Sequence, residues 1–310
     1  MKPIVIGTRG SQLAMWQAQW VADQLETLGV SSRIKVIKTT GDKMSARALA
    51  KLVATTGVKG VFTKEIDEAL IDSRIDIAVH SLKDLPTESD KRLSLGAIPE
   101  RGNPRDAIVG AELKAFEEGA RIGTGSLRRA SQLRRLRPDL KVVDIRGNVD
   151  TRLKKLDDGG YDGLILAAAG LERLGLEERI AEVLEPNAMC PAVGQGAIGI
   201  QLRANDKTMH EIIAPLDHEE TRTTVTAERT LLEALGGGCQ VPLGGYAMIQ
   251  GERLRLSAIV VAEDGRRSFS RVVEGSPSNP EALGRETAEK LLSLGAGEIM
   301  GLEKPKKTKK

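Results

Sequence analysis

The sequence predicts an α/β protein with two α/β lobes, followed by a smaller C-terminal α+β domain with an antiparallel sheet. Three observations predict it. Short apolar strands alternate with amphipathic helices from the start of the chain, and the alternation begins again after residue 100. After Asp217 the order changes to a helix, three alternating strands and a final helix, which is typical of a separate α+β unit.

The first lobe begins with a strand, a polar turn and a helix. Strands are predicted over 4–7, 33–38 and 75–79, and a second helix over 63–70. In the first helix, Leu13, Trp16, Trp20 and Leu28 recur at helical spacing and are expected to form its buried face. The third strand leads into the polar segment His80 to Pro86.

The second lobe repeats this order. Strands are predicted over 107–109, 121–123, 141–145 and 164–168, and helices over 126–136 and 148–156. Because strands and helices alternate, both lobes are expected to contain parallel sheets with right-handed crossovers. In the third unit, helices are predicted over 219–235 and 280–294, and strands over 246–249, 253–261 and 268–273.

Composition describes an ordinary globular protein of 310 residues, with 40% hydrophobic and 29% charged residues. The sequence contains no apolar run long enough to span a bilayer, and no signal-peptide pattern follows Met1, so a cytoplasmic protein is expected. The two cysteines lie far apart and the three histidines lack ligand spacing, so no metal site is expected.

Positive charge is concentrated in one part of the chain. Residues 121–155 contain eleven Arg and Lys residues against three Asp residues, although the net charge of the whole chain is only +3. Arginine predominates, and its planar guanidinium suits paired hydrogen bonds to carboxylates. The sequence therefore predicts a ligand with several negative charges.

The polar residues of interest follow predicted strands. Ligands of parallel α/β sheets bind beyond the carboxyl ends of the strands, so these residues are expected to meet in one cleft. They are Arg9, Ser11, Lys83, Asp84, Thr124, Ser126, Arg128, Arg129, Arg146 and Arg152. Arg134, Arg135 and Arg137 are expected instead to lie on a solvated helix face.

Nucleotides and nucleic acids fit this pattern poorly. The segment Gly123 to Ser126 is too short for a phosphate-binding P-loop and lacks its lysine. With two Trp, two Tyr and three Phe, the chain also has few rings on which bases could stack.

Two single residues could carry chemistry. Asp84 is an acid among these cations, so it could stabilise a cationic intermediate or move a proton, although capping the turn before Pro86 explains it equally well. Cys239 lies in a glycine-rich segment, Gly236 to Gly245, that would leave a thiolate uncrowded. A small buried side chain is the alternative for Cys239, and it suits Cys190 better.

Five motifs, in order along nearly the whole chain, resemble the porphobilinogen deaminase family. They are His80-Ser81-Leu82-Lys83-Asp84-Leu85-Pro86-Thr87, Gly123-Thr124-Gly125-Ser126-Leu127-Arg128-Arg129, Arg146-Gly147-Asn148-Val149-Asp150-Thr151-Arg152-Leu153, Pro191-Ala192-Val193-Gly194-Gln195-Gly196 and Gly237-Gly238-Cys239-Gln240-Val241-Pro242. The segment Gly57 to Phe62 departs from the family pattern at two positions, which affects the loop that carries Lys59.

The resemblance implies a transferase that condenses porphobilinogen head to tail into hydroxymethylbilane on a covalent dipyrromethane cofactor. It implies Cys239 as the attachment point through a thioether and Asp84 as the catalytic residue. It assigns cofactor binding to Lys83, Asp84, Thr124, Ser126, Arg128, Arg129, Arg146, Arg152 and Gln195. It assigns substrate binding to Arg9, Ser11, Phe62, Arg146 and Arg173.

The resemblance also implies an architecture: two lobes like those of periplasmic binding proteins, a third domain with the cysteine loop, and a monomer. The expected domains are 1–98 with 197–216, 99–196, and 217–310. Two rival functions are a two-lobed carboxylate-binding protein without catalysis and an RNA-binding protein that uses the basic stretch.

Overall fold

A computed structural model describes residues 2–40, 63–88, 90–237 and 241–302. Within them the elements, in chain order, are β1 Ile4–Thr8, α1 Gln12–Thr27, β2 Ser32–Val36, α2 Lys64–Ile71, β3 Ile77–Ser81, β4 Leu93–Ala97, β5 Asp106–Val109, β6 Arg121–Gly123, α3 Leu127–Leu136, β7 Lys141–Val143, α4 Val149–Asp157, β8 Gly163–Ala167, α5 Ala168–Glu172, β9 Ile180–Leu184, β10 Ile198–Arg203, α6 Lys207–Ile213, α7 Glu219–Ala234, β11 Leu243–Gln250, β12 Arg253–Val261, β13 Ser268–Gly275, α8 Pro280–Ser293 and α9 Ala296–Met300. Short 3-10 turns occupy Leu82–Asp84, Leu113–Ala115, Glu177–Arg179 and Ala214–Leu216.

The first sheet has the strand order β2-β1-β3-β10-β4. Strands β1, β2 and β3 are parallel, so their carboxyl ends meet at one edge. Strand β10 comes from much later in the chain and pairs antiparallel with both β3 and β4. The chain therefore returns to its first sheet after it has completed the second one.

The second sheet has the same plan, in the order β7-β6-β8-β5-β9. Strands β6, β7 and β8 are parallel, and β5 pairs antiparallel with β8 and β9. The prediction of wholly parallel sheets is therefore wrong for β5 and β10. Alternation of strands and helices indicates layers, but it does not give the direction of a strand that enters the sheet from a long connection.

The third unit is a meander of strands β11, β12 and β13, all antiparallel. Helices α7 and α8 pack on it, and Leu231, Leu256 and Leu291 are among the fully buried residues of their common core. The fold class predicted from the sequence is confirmed: two α/β lobes and a C-terminal antiparallel sheet domain.

Helix α1 buries only part of the face that was predicted. Trp20 is partly buried and packs against the core of the first lobe, which α1 fills mainly with Ala18, Val21 and Leu25. Trp16 is 36% exposed and Leu28 is 44% exposed, so these two predicted residues lie outside that core.

Among the described residues, no helix combines the length and the apolar character that crossing a membrane requires.

Candidate functional site

A cavity of about 240 Å³ lies between the two α/β lobes. Its walls combine residues that follow β1 and β3 of the first sheet with residues around α4 and α5 of the second. Its ionisable lining residues are Arg9, His80, Lys83, Asp84, Arg129, Asp150 and Arg152. Charged groups from several segments of the sequence thus meet in one space.

The first lobe contributes the ends of two parallel strands. Arg9 directly follows β1, and Lys83 and Asp84 form the turn after β3. Ser11 caps helix α1, where its Oγ accepts a hydrogen bond of 3.2 Å from the N–H of Ala14. The amino end of this helix, whose first N–H groups and dipole favour negative charge, therefore borders the cavity.

The second lobe contributes the start of helix α4. Gly147 has φ +118°, a backbone conformation that favours glycine, and it turns the chain from Arg146 into the helix. The Nε of Arg152 donates to the Gly147 carbonyl at 2.7 Å. Burial and the neighbouring cations Arg129 and Arg146 lower the pKa of Arg152 to about 10, so it is cationic at neutral pH.

Asp84 is an exposed carboxylate among these cations. Its charge acts on Lys83 and Arg152 by favouring their protonated forms. Within the described part of the chain its side chain makes no hydrogen bond with another residue, so turn capping does not account for it. The arrangement can therefore hold several carboxylates while keeping one carboxylate for a cationic partner.

Behind the cavity, Asp106 is fully buried between two arginines. Its carboxylate accepts from Arg128 Nη1 at 2.7 Å and from Arg129 Nε at 2.9 Å. Burial alone would raise the pKa of Asp106, but the two guanidinium groups hold that pKa well below its usual range. This ion cluster, built from the start of β5 and the first turn of α3, fixes Arg129 against the cavity.

Gln195 connects this cluster to Lys83. Its Oε1 accepts from Lys83 Nζ at 3.3 Å and from Arg129 Nη2 at 3.2 Å, while its Nε2 donates to Asp106 at 2.9 Å. Burial and nearby Arg129 lower the pKa of Lys83 to about 8, against the opposing effect of Asp84 and Asp106. Gln195 therefore acts behind the cavity wall, where it orients two of the cations.

A second buried ion pair holds the backbone around Gln195. Arg101 donates to Glu228 of helix α7 at 2.7 Å and to the Gln195 carbonyl at 2.8 Å. Glu228 also accepts from the N–H of Gly194 and from that of Ala247 on β11, each at 2.8 Å. This pair ties the third unit to the segment that carries Gln195.

His80 lines the cavity and belongs to a buried polar chain. Its Nε2 lies 3.2 Å from Gln201 Oε1, and burial lowers the pKa of His80 to about 4. Gln201 is in turn bonded to Asp67, whose pKa burial raises to about 6. His80 is therefore neutral at physiological pH and contributes no charge to the cavity.

The structure places the residues predicted from sequence in two groups. Arg9, Ser11, Lys83, Asp84, Arg129 and Arg152 line the cavity. Arg128 and Gln195 lie behind it, in the buried cluster. Thr124 is buried beside the start of α3, and Ser126 caps that helix through a hydrogen bond of 3.4 Å from the Arg129 N–H.

Two further predicted residues lie outside the cavity lining. Arg146 is exposed and pairs with Asp144 at 3.2 Å. Arg173 lies at the end of α5, where its Nη2 donates to the Gly196 carbonyl at 2.7 Å. Of the three arginines expected on a solvated helix face, Arg135 is exposed, whereas Arg134 and Arg137 are partly buried and donate hydrogen bonds to the carbonyls of Glu263 and Leu113.

Cys239, Phe62 and Lys59 lie outside the described residues. The other cysteine, Cys190, is buried, and burial raises the pKa of its thiol to about 12. Its Sγ lies 3.7 Å from the Ser257 carbonyl. Cys190 is therefore an unreactive structural residue, as its sequence context predicted.

Sequence reasoning did not find Asp106, Arg101 or Glu228. Asp106 directly precedes the predicted strand 107–109, and Arg101 lies in an irregular segment, so neither position belonged to a pattern. Glu228 lies on the face of α7 that packs on β11. A charged residue at a helix position expected to be buried was the signal that could have identified it.

Comparison with known proteins gives one consistent result. The family model described as "Porphobilinogen deaminase, dipyromethane cofactor binding domain" matches residues 4–211. The model described as "Porphobilinogen deaminase, C-terminal domain" matches residues 222–293.

Similar proteins named porphobilinogen deaminase occur in several bacteria. The protein from Pelotomaculum thermopropionicum is 46% identical over 304 residues, which is 96% of each chain. The protein from Desulforudis audaxviator is 49% identical over 305 residues, covering 96% of this chain and 97% of that one.

Solved structures with a detectable likeness include a periplasmic substrate-binding protein of an ABC transporter from Coxiella burnetii. It is 14% identical, with a TM-score of 0.42 over 73% of this chain and 96% of that one. The second substrate binding domain of GlnP from Lactococcus lactis is 9% identical, also with a TM-score of 0.42, over 76% and 91% of the two chains.

Proposed function

Because the chain belongs to the porphobilinogen deaminase family, it is a transferase of tetrapyrrole synthesis, and we propose that the cavity between its two α/β lobes is the active site. The reaction condenses porphobilinogen molecules head to tail on a dipyrromethane cofactor. Each addition releases ammonia, and hydrolysis at the end frees the linear tetrapyrrole hydroxymethylbilane. The single observation that carries the assignment of the site is the meeting of Asp84 with Arg9, Lys83, Arg129 and Arg152 around one cavity.

The groups around the cavity fit a dipyrromethane. Each of its pyrroles carries an acetate and a propionate, which need cationic donors, and a ring N–H, which needs an acceptor. When bound, the dipyrromethane supplies a pyrrole with a free α-carbon and its own carboxylate arms. Lys83, Arg129 and Arg152 would hold those arms, and Asp84 would accept from the ring nitrogens.

Asp84 would act on the substrate through its charge. Loss of the aminomethyl nitrogen of porphobilinogen as ammonia leaves a cationic azafulvene, and a fixed carboxylate stabilises that cation as it forms. The same oxygen atoms can accept the proton that the attacking pyrrole must lose.

The remaining residues would bind the substrate and position it beside Asp84. We assign Arg9 and Ser11 to the substrate carboxylates, together with Arg146 and Arg173 at the rim. Phe62 belongs to the same proposal through the family resemblance.

Four more residues would act from behind the cavity. Arg128 and Gln195 would support Arg129 and Lys83 through the Asp106 cluster. Thr124 would support the capped start of α3, where Ser126 caps the helix that carries Arg129. In this proposal these residues contribute to cofactor binding indirectly, because they orient the cavity cations Arg129 and Lys83.

We propose three domains: 1–98 with 197–216, 99–196, and 217–310. Pairing of β10 with β3 and β4 supports the return of the chain to the first domain. The bond of Glu228 to Gly194 supports a fixed contact between the third domain and the second, and the bonds of Arg229 to the carbonyls of Leu85 and Pro86 support one with the first. The proposal includes a monomer in the cytoplasm, which size-exclusion chromatography and fractionation of cells can test.

Attachment of the cofactor to Cys239 can be tested by intact-protein mass spectrometry. We expect the purified protein to exceed its sequence mass by one dipyrromethane and the Cys239→Ser variant to lack this excess. Cys190→Ser is the matched control, because its buried thiol has a raised pKa and should leave the excess unchanged. An active protein of unmodified mass would refute the attachment.

A further inference from the structure

Trp16 and Arg173 form a contact between the two α/β lobes. The Cζ atom of Arg173 lies 5.6 Å from the centre of the Trp16 ring, within the range of a cation–π interaction. Trp16 is on α1, which packs on the first sheet through Ala18 and Val21. Arg173 directly follows α5, which packs against the second sheet through Leu171. The contact therefore spans the cleft.

Core packing does not explain Trp16. Its side chain projects from the exposed side of α1, and 36% of the residue is accessible to solvent. Tryptophan combines an apolar ring with a polar N–H, which suits a position between a helix surface and a polar cavity. Its neighbours Leu13 and Gln17 on α1, and Gly170 and Leu174 beyond the cleft, all line the cavity. Trp16 therefore lies beside the cavity, although it is not one of the residues that line it.

Arg173 forms no salt bridge with a described residue, although the charge of the adjacent Glu172 favours its protonated form. The adjacent Glu172 accepts a hydrogen bond of 2.8 Å from Asn103. Burial lowers the pKa of Arg173 to about 10, which still leaves it protonated at neutral pH. Its one hydrogen bond within the described part of the chain runs from Nη2 to the Gly196 carbonyl, at 2.7 Å. No N–H group of Arg173 is both buried and without a hydrogen-bond partner.

We propose that Trp16 is a positioning residue for Arg173. The ring supports one face of the guanidinium and the Gly196 carbonyl holds one of its N–H groups, so the remaining donors are presented to a carboxylate arm of the substrate or the growing chain. Because the ring and the guanidinium belong to different lobes, this carboxylate site is complete only when the lobes are close together. The inference rests on the proposed function of the cavity.

Steady-state kinetics of Trp16→Leu and Trp16→Phe test the proposal. Leucine fills the position but removes the aromatic face, so we expect KM for porphobilinogen to rise about 2- to 30-fold, with a smaller change in kcat. Phenylalanine keeps a ring and should restore most of the loss. An unchanged KM in Trp16→Leu, or equal KM values in the two variants, would overturn the role of the ring.

Tryptophan fluorescence gives a readout that a purely structural role would not move. In a Trp20→Phe background Trp16 is the sole tryptophan of the chain. Mixing this protein with porphobilinogen should change its emission, because a carboxylate that binds Arg173 alters the charge facing the ring. The change should be absent when Arg173→Leu is added. A response that persists without Arg173, or no response when it is present, contradicts the proposal.

Two outcomes separate this inference from the proposed function. If the protein carries the dipyrromethane mass and turns over porphobilinogen, but Trp16→Leu leaves KM unchanged, the positioning role alone is refuted. A protein without the added mass and without turnover would refute the proposed function itself.

Discussion

Asp84 and Asp106 are two aspartates of one polar region with opposite surroundings. Asp106 has no exposed surface and is saturated by Arg128, Arg129 and Gln195. Asp84 is exposed in the cavity and makes no hydrogen bond with another described residue. The acid that organises the arginines is therefore not the acid that faces the cavity. Stability and catalysis should therefore respond separately when each carboxylate is removed.

The largest expected effect is on turnover in Asp84→Asn. The amide keeps the shape of the side chain but removes its charge and its capacity to accept a proton. We expect kcat to fall about 10²- to 10⁴-fold, the range typical of a positioned acid or base. The free energy of unfolding should change by no more than about 0.5 kcal/mol, because the residue is exposed. Turnover within a few-fold of the unmodified enzyme would remove Asp84 from the mechanism.

Asp106→Asn should have the opposite signature. Loss of this charge leaves two buried guanidinium groups without a counter-ion, so urea unfolding should show a loss of about 3–5 kcal/mol. The matched control is Asp157→Asn, which breaks a surface pair with Arg179 and should cost about 0–1 kcal/mol. Equal losses in the two variants would show that the buried cluster does not hold this region together.

A cation of the cavity should affect binding more than folding. Arg152→Leu removes a charge-assisted partner of a cofactor carboxylate, commonly worth about 1.5–3 kcal/mol, so the attacking pyrrole is positioned less well and kcat should fall about 10- to 100-fold. Surface Arg179→Leu is the control and should leave kcat unchanged. If both variants had the kcat of the unmodified enzyme, Arg152 would not hold a cofactor carboxylate.

The smallest expected effect is a pH dependence from Lys83. Its lowered pKa of about 8 means that Lys83 is cationic below pH 8 and neutral above it. Its attraction for a cofactor carboxylate is therefore present at lower pH and lost as pH rises through 8, so the contribution of Lys83 should make kcat decline several-fold between pH 7 and 9, a rise in the pH profile of 1/kcat. Lys83→Arg, whose guanidinium stays protonated, should flatten this rise; an unchanged profile in that variant would assign the titration to another group.

Local patterns predicted much of this fold from the sequence. Strand alternation placed β6 and β12 with the bounds that the structure has, and polar residues after β1 and β3 predicted the position of the cavity. These predictions succeeded because the residues that follow parallel strands depend on topology more than on details of packing.

Long-range contacts were not predictable in the same way. Asp106 becomes informative only when β5 lies beside α3, more than twenty positions away, and Arg101 only when α7 supplies Glu228. Strands β4, β9 and β10 were missed because short strands of mixed polarity resemble loops. The exposure of Trp16 depended on which face of α1 the sheet accepted, and helical spacing alone permits more than one.

The most direct test of the central claim is the mass of Asp84→Asn before and after mixing with porphobilinogen. We predict that the isolated variant carries the dipyrromethane mass, because the cations that would hold it are intact, and that further pyrrole units are added far more slowly than in the unmodified enzyme. Addition of pyrrole units at the unmodified rate would contradict the account.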